Sequence, residues 1–196
     1  MISNPRYFCS SVTMIEWSIN LGCTFGPNGD KLCNYAAANG DLHMLIYLRS
    51  QTPKYKCGTK TCKAAMTNGQ LIVLQWLLTQ QPPCPFTNDI AVFAAKHGHL
   101  ATMQWILTQL NIEINTVNKE HGITLHAAAA GGHSAVIKYL LTVPGVDVNK
   151  VNLCEDTALH YAARSGHSDV CELLLAAPGV DVNIAANVDG NTSLHY

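Results

Sequence analysis

Small and apolar residues recur in a fixed order along this chain and predict a series of short helix pairs. Five times, two small residues stand three to five positions before a glycine, and an apolar segment follows that glycine. One clear copy reads YAARSGHSDVCELLL, residues 161–175. The five glycines are Gly40, Gly69, Gly98, Gly132 and Gly166, and the step between them is shorter up to Gly98 than after it. Such regular similarity indicates a repeat architecture.

Each copy can be derived from local physical chemistry. We expect the Thr157 hydroxyl to cap the first helix of the last full copy, and Gly166 to end that helix in a left-handed conformation. The second helix stops before Pro178, because proline cannot continue a helix. Its predicted core face consists of Val170, Cys171, Leu173, Leu174 and Leu175. A single pair is too small to bury its apolar faces, so neighbouring copies must stack.

Aromatic residues mark the second helix of most copies. They stand seven residues after the glycine position, with Ser10 at that position in the first copy; they are Trp17, Tyr47, Trp76, Trp105 and Tyr139. A row of aromatic rings can form a platform for a ligand. Because the spacing follows the repeat, we favour packing in the core.

Two copies carry a specific motif. They read DTALHYAARSGH…LLLAAPGVDVN and GITLHAAAAGGH…YLLTVPGVDVN. In their threonine-to-histidine turn, Ala-Ala inner helix, Gly-His, leucine-rich outer helix and Asp-Val-Asn hairpin, they resemble the ankyrin-repeat family. The resemblance implies an all-α, ankyrin-like solenoid of stacked helix-turn-helix repeats with short hairpin loops. It also implies that the imidazoles of His126, His160 and His195 bond back to the turn and to its capping threonine.

The resemblance covers nearly the whole chain, but unevenly. Copies before residue 100 lack the threonine-to-histidine turn and have the shorter period. We predict one domain over residues 1–196: an N-terminal half-repeat cap (1–27), shorter divergent repeats (28–100), 34-residue repeats (101–186) and the start of a truncated further repeat (187–196). Arrays normally end in a polar outer face. We therefore expect that the chain was cut from a longer protein, or that this end contacts a partner or another copy.

Composition narrows the class of protein. The chain is 48% hydrophobic and 13% charged, which excludes a disordered polymer. A net charge of −1 gives no general attraction to nucleic acid or to a membrane, and the apolar stretch LIVLQWLL is too short to span a bilayer. The basic stretch RSQTPKYKCGTKTCK is either a solvated loop or a patch for an acidic partner.

Cysteine and histidine usage raises the question of a metal site or an active site. Without a secretory signal, we interpret the eight cysteines as reduced thiols of a cytoplasmic protein. Most histidines hold fixed repeat positions, and the closest cysteines, Cys57 and Cys62, have no matching second pair for zinc. There is no phosphate-binding loop and no locally activated nucleophile. We therefore expect no metal, no cofactor and no catalysis within these residues.

Partner binding is the function that the family resemblance implies. Ankyrin-like arrays bind another protein on their concave face, through hairpin tips and the exposed ends of inner helices. The residues predicted for this contact are Asn39, Asn68, Lys96, His97, Lys119, His121, Glu155, Arg164 and Ser165. Charge reversal at Lys96 and Arg164 together is expected to weaken binding. The alternative for each position is an unconstrained residue in solvent.

Three asparagines recur at 34-residue steps and suggest a second role. Asn115, Asn149 and Asn183 each follow an acidic residue by two positions and a leucine by eight. Ankyrin-type proteins with this pattern can be substrates of an asparaginyl β-hydroxylase. The alternative, which we favour, is that the asparagine bonds the hairpin backbone. The PGVDVN endings are similar to arrays of intracellular bacteria such as Legionella, so a targeting array of a longer effector or enzyme, acting in the host cytoplasm on a host protein, is the second hypothesis.

Overall fold

The computed structural model of the 196-residue chain describes residues 29–50, 57–80, 83, 90–110, 112, 114–115, 122–186 and 190–196. The chain divides into two compact units, Met1–Thr87 and Asn88–Tyr196. Short helices make up most of the secondary structure of the described residues, and in unit 2 an isolated antiparallel bridge joins Ala185 and Thr192. The predicted N-terminal cap (1–27) lies outside the described residues.

The described residues of unit 1 form two helix pairs. The first pair is α1 (Gly29–Asn39) and α2 (Leu42–Ser50), and the second is α3 (Thr59–Thr67) and α4 (Leu71–Thr79). The inner helices α1 and α3 pack against each other, as do the outer helices α2 and α4. Buried alanines such as Ala37 and Ala65 permit this close approach.

In the part of unit 2 that the structure describes, there are three helix pairs and the beginning of a fourth copy. The inner helices are α5 (Ile90–Lys96), α7 (Thr124–Ala130) and α9 (Ala158–Arg164), and they stack in that order. The outer helices α6 (Leu100–Gln109), α8 (Ser134–Leu140) and α10 (Ser168–Leu175) form the second layer. A 3₁₀ turn, Ser193–His195, follows α9 in the stack. The predicted all-α array of stacked helix-turn-helix repeats is confirmed.

The buried face of the outer helices is narrow, and in α10 it is narrower than the sequence predicts. Its buried positions lie four, five and eight residues after the glycine in most copies, as in Val136, Ile137 and Leu140. In α10, Val170 and Leu174 are buried, but Leu175 is 45% exposed. The predicted core positions Cys171 and Leu173 are half-buried. A helix of eight residues presents only about two turns to its neighbours, so a five-residue core face does not fit.

The aromatic row lies at the border of this core. The four described members, Tyr47, Trp76, Trp105 and Tyr139, are half-buried, and Trp17 lies outside the described residues. Each of their backbone carbonyls accepts a hydrogen bond from a hydroxyl three residues later, at 2.7–3.0 Å; the donors are Ser50, Thr79, Thr108 and Thr142. These hydroxyls satisfy carbonyls that the end of a helix leaves without an intrahelical partner.

The turn chemistry follows the sequence prediction. The backbone N–H of His160 donates to the Thr157 hydroxyl at 3.4 Å, so Thr157 is the N-cap of α9. Gly166 ends that helix at φ 72°, and Gly132 has φ 69° after α7. A Cβ atom on Gly132 would also lie 2.7 Å from Nδ1 of His167. Glycine is therefore needed at this position both for its backbone conformation and for its small size.

One cysteine departs from the prediction of reduced thiols. Cys62 is disulfide-bonded, and it is buried in α3. The other described cysteines, Cys33, Cys57, Cys154 and Cys171, are free, so the partner of Cys62 lies outside the described residues. The prediction is therefore wrong at Cys62 and confirmed at these four.

Candidate functional site

Hydrogen bonds between neighbouring repeats align the carboxyl ends of the inner helices in unit 2. Nε2 of His133 lies 2.8 Å from the backbone oxygen of Lys96, and Nε2 of His167 lies 3.2 Å from that of Ala130. A carbonyl only accepts, so each Nε2 carries the proton and donates it. The ends of α5, α7 and α9 therefore lie side by side.

Unit 1 uses a glutamine for the same contact. Nε2 of Gln70 donates to the backbone oxygen of Ala38 at 3.2 Å, which joins the ends of α1 and α3. The predicted contact residues Asn39 and Asn68 are exposed at these two ends. The Asn68 amide donates to the oxygen of Ala64 at 2.8 Å, so it also caps its own helix.

Removing one of these inter-repeat bonds is expected to weaken the array moderately. For His133→Ala we expect the free energy of unfolding to fall by about 1 kcal/mol, because one hydrogen bond and its packing over the preceding repeat are lost. Urea unfolding followed by circular dichroism measures this. His43→Ala is the matched control, since His43 is exposed and its side chain makes no hydrogen bond to a described residue. Equal losses in both variants would contradict the bridging role.

The aligned ends expose the central contact residues predicted from the sequence. Lys96, His97, Arg164 and Ser165 are all exposed. The position between them is different, because a Cβ atom on Gly131 would lie 2.5 Å from Nε2 of His133 and 2.8 Å from the oxygen of Lys96. At Gly131, packing between repeats therefore demands a small residue.

A tight turn forms the hairpin tip, residues 152–155. The backbone N–H groups of Cys154 and Asp156 both donate to the side-chain oxygen of Asn152, at 2.8 and 2.9 Å. Leu153 is 73% exposed, and Glu155 is exposed with φ 58°, a conformation that is uncommon for a residue other than glycine. The tip thus presents an apolar and an acidic side chain on an ordered loop.

Polar contacts fasten this tip to α9. The Asn152 amide donates to the hydroxyl of Tyr161 at 2.9 Å, and Arg164 pairs with the buried carboxylate of Asp156 at 2.6 Å. The guanidinium also lies 5.4 Å from the ring centre of Tyr161 and 5.3 Å from that of Tyr196. The hydrogen bond to Asp156 raises the pKa of Arg164. Arg164 therefore holds the tip in place as well as being exposed.

The three recurring asparagines do not have equivalent surroundings. Asn115 and Asn149 donate from Nδ2 to the backbone oxygens of Gly145 and Gly179, at 2.6 and 2.7 Å in the next repeat. Their side-chain oxygens accept from the N–H groups of Asp147 and Asp181. The Asn183 side chain makes no such bond to any described residue. The alternative we favoured, bonding to the hairpin backbone, is thus observed for Asn115 and Asn149.

The three turn histidines bond back to their turns as the resemblance implies. Nδ1 of His126, His160 and His195 accepts from a backbone N–H three residues earlier, at 3.0, 3.2 and 3.1 Å. The expected threonine hydroxyl lies 2.8 Å from His160 and 3.0 Å from His195. Ile123 stands in its place before His126, so the bond to a capping threonine is missing there.

The described residues offer neither a metal site nor a membrane span. They contain no group of three or more His, Cys, Asp or Glu side chains that could hold a metal ion. None of the helices given above is both long and apolar enough to cross a membrane.

The fold and this surface define a repeat protein built from stacked helix pairs. Two family models described as ankyrin repeats match the chain, one (many copies) at residues 91–141 and one (three copies) at residues 125–196. Together these matches span more than half of the sequence, and the chain belongs to the ankyrin-repeat family. No match was found among curated proteins. Ankyrin repeats generally mediate protein–protein interaction and are typically non-catalytic.

Proposed function

We propose that this chain is a non-catalytic module that binds a partner protein through the aligned inner-helix ends and the hairpin tip of unit 2. The observation that carries the proposal is that a backbone fixed by hydrogen bonds presents exposed side chains. The inter-repeat bonds of His133 and His167 hold the helix ends in place, while Lys96, His97 and Ser165 are exposed to solvent. Exposed side chains on a fixed backbone bind with little loss of conformational freedom.

The members of the predicted contact set contribute differently to this proposal. Lys96 and His97 lie together at the end of α5, where a charge and a ring face solvent. Glu155 adds an acidic side chain at the tip. Lys119 and His121 lie outside the described residues and stay predictions. Asn39 and Asn68 are exposed in unit 1, and their role in binding also stays a prediction.

The structure changes which substitution is a fair test of binding. Reversing the charge of Arg164 would place a second carboxylate beside the buried Asp156, so stability and binding would change together. The sharper variant is Lys96→Glu with His97→Ala. Affinity capture with the immobilised wild-type chain, followed by mass spectrometry, would identify partners. We expect the double variant to bind them at least about tenfold more weakly, a loss of about 1.4 kcal/mol.

Lys138→Glu provides the matched control, because Lys138 carries the same charge on the outer helix α8 and is also exposed. This variant is expected to retain the wild-type partners and affinity. Thermal unfolding of each variant establishes that the fold is intact. Equal capture by both variants would rule out the α5 end as the binding surface.

Two finer roles remain predictions from the sequence. Hydroxylation of Asn115, Asn149 or Asn183 would add one oxygen atom, which intact mass measurement after incubation with an asparaginyl β-hydroxylase detects. The Asp-Val-Asn pattern has a structural explanation, since the Asn149 N–H donates to the Asp147 side chain at 3.0 Å. The sequence of the full-length gene would test a targeting role within a longer effector or enzyme that acts in host cytoplasm.

A further inference from the structure

Two free cysteines of unit 1 lie where neighbouring repeats meet. Cys33 is in α1 and is 0% exposed, and Cys57 is half-buried just before α3 begins. The inner helices α1 and α3 pack against each other, and the Thr61 hydroxyl donates to Asn34 at 2.8 Å beside the two cysteines. The repeat motif accounts for a small residue at position 33, but it does not account for a thiol at position 57.

The two thiols and an arginine form a connected cluster. The Thr61 hydroxyl that donates to Asn34, the residue after Cys33, also accepts at 3.3 Å from the N–H of Gly58, the residue after Cys57, so the two cysteines lie close together. A side-chain hydrogen bond with Cys33 and the charge of Arg49, at the end of α2, act on the sulfur of Cys57. The bond from Cys33, followed by the positive charge of Arg49, lowers the pKa of Cys57, whereas Asp30 and partial burial oppose this. The same bond and burial raise the pKa of Cys33. Cys57 is therefore the better thiolate, and Cys33 keeps its proton.

We propose that Cys57 and Cys33 form a hydroperoxide-sensitive dithiol, in which Cys57 is oxidised first and Cys33 then closes a disulfide between α1 and the segment before α3. A redox-sensitive cysteine of this kind combines thiolate character, access to solvent and an adjacent resolving thiol. Cys57 supplies the first two properties and Cys33 supplies the third.

The chemistry balances in two steps. The Cys57 thiolate attacks the terminal oxygen of a hydroperoxide, the O–O bond breaks, and the alkoxide or hydroxide that leaves takes a proton from water. Cys57 is then a sulfenic acid. The sulfur of Cys33 attacks the sulfur of Cys57, the S–O bond breaks, and the hydroxyl leaves as water with the proton of Cys33. The pair has lost two electrons to the hydroperoxide.

The other described cysteines serve as internal references. Cys62 is already disulfide-bonded, so it offers no thiol to compete with Cys33. Cys154 is free and exposed in unit 2. If exposure alone governed oxidation, Cys154 would react before the half-buried Cys57.

Peptide mapping of the intact chain tests the proposal directly. Trypsin places Cys33 and Cys57 in separate peptides, residues 32–49 and 57–60, while Cys62 falls in residues 61–63. The folded protein is treated with hydrogen peroxide, alkylated and digested without reduction. We expect the linked 32–49/57–60 peptide to accumulate several-fold faster than oxidation of Cys154, and to disappear after reduction.

Two single variants separate the roles of the two thiols. In Cys33→Ser, Cys57 is expected to stop at a sulfenic acid that dimedone traps. In Cys57→Ser, Cys33 is expected to stay reduced, because the buried thiol then has no sulfenic acid at position 57 to attack. Circular dichroism checks the fold of both variants, and the wild-type mapping decides the proposal if either fails to fold. Preferential oxidation of Cys154, or a link from Cys57 to Cys62 in place of Cys33, would overturn it.

Discussion

Lowering the pH from 7.5 to 5 is expected to reduce the free energy of unfolding by about 2 kcal/mol through His126 alone. Burial lowers the pKa of this imidazole from 6.5 to about 4. Its side chain is 0% exposed, and its Nε2 has no hydrogen-bond partner among the described residues. The nearby Lys150 backbone favours the charged form, but burial has the larger effect.

The sign follows from proton uptake. Between pH 6.5 and 4 the unfolded chain binds a proton at position 126 and the folded chain does not. Stability contributed by the neutral imidazole is therefore present above pH 6.5 and is lost as the pH falls towards 4. The total loss across this window is about 3 kcal/mol, of which about 2 kcal/mol has been lost by pH 5.

Urea unfolding at several pH values between 5 and 7.5 measures this slope. The variant His126→Gln should flatten it by about 2 kcal/mol over that range, because glutamine does not titrate. The lower stability of this variant at pH 7.5 is a separate effect. His43→Ala provides the control, since His43 is exposed, and this variant should keep the wild-type slope. A wild-type slope in His126→Gln would show that other groups carry the pH dependence.

Features that depend on nearby residues were predictable from the sequence. The helix pairs, the left-handed glycines and the Thr157 cap each follow from a few consecutive residues, and all are confirmed. The exposed positions of Lys96 and Arg164 could also be predicted, because the repeat places them at the end of an inner helix.

Features that depend on contacts across repeats were not predictable. The sequence shows Asp156 and Arg164 eight positions apart, but only the folding of the hairpin tip onto α9 brings them within 2.6 Å. The role of Gln70 was missed because glutamine replaces the usual histidine there. α10 packs against α9 and α8, and periodicity alone does not specify which of its apolar residues these helices bury.

Asn149→Ala is expected to lower the free energy of unfolding by about 1–2 kcal/mol, because its side chain makes two bonds to the next repeat. Its Nδ2 donates to the oxygen of Gly179 at 2.7 Å, and its Oδ1 accepts from the N–H of Asp181 at 2.8 Å. Both bonds are exposed to solvent, so water replaces them in the variant and the loss stays at this level. Urea unfolding measures the stability, and hydrogen exchange at the Asp181 N–H reports the broken bond locally.

Asn183→Ala is a closely matched control for that experiment. Asn183 occupies the same place in its Asp-Val-Asn turn, and its N–H donates to Asp181 at 2.9 Å just as that of Asn149 donates to Asp147 at 3.0 Å. Its side chain, however, makes no hydrogen bond to a described residue. The control should therefore change stability by less than about 0.5 kcal/mol. A similar loss in the two variants would mean that the asparagines act within their own turns, and that the ladder between repeats contributes little to the stability of the array.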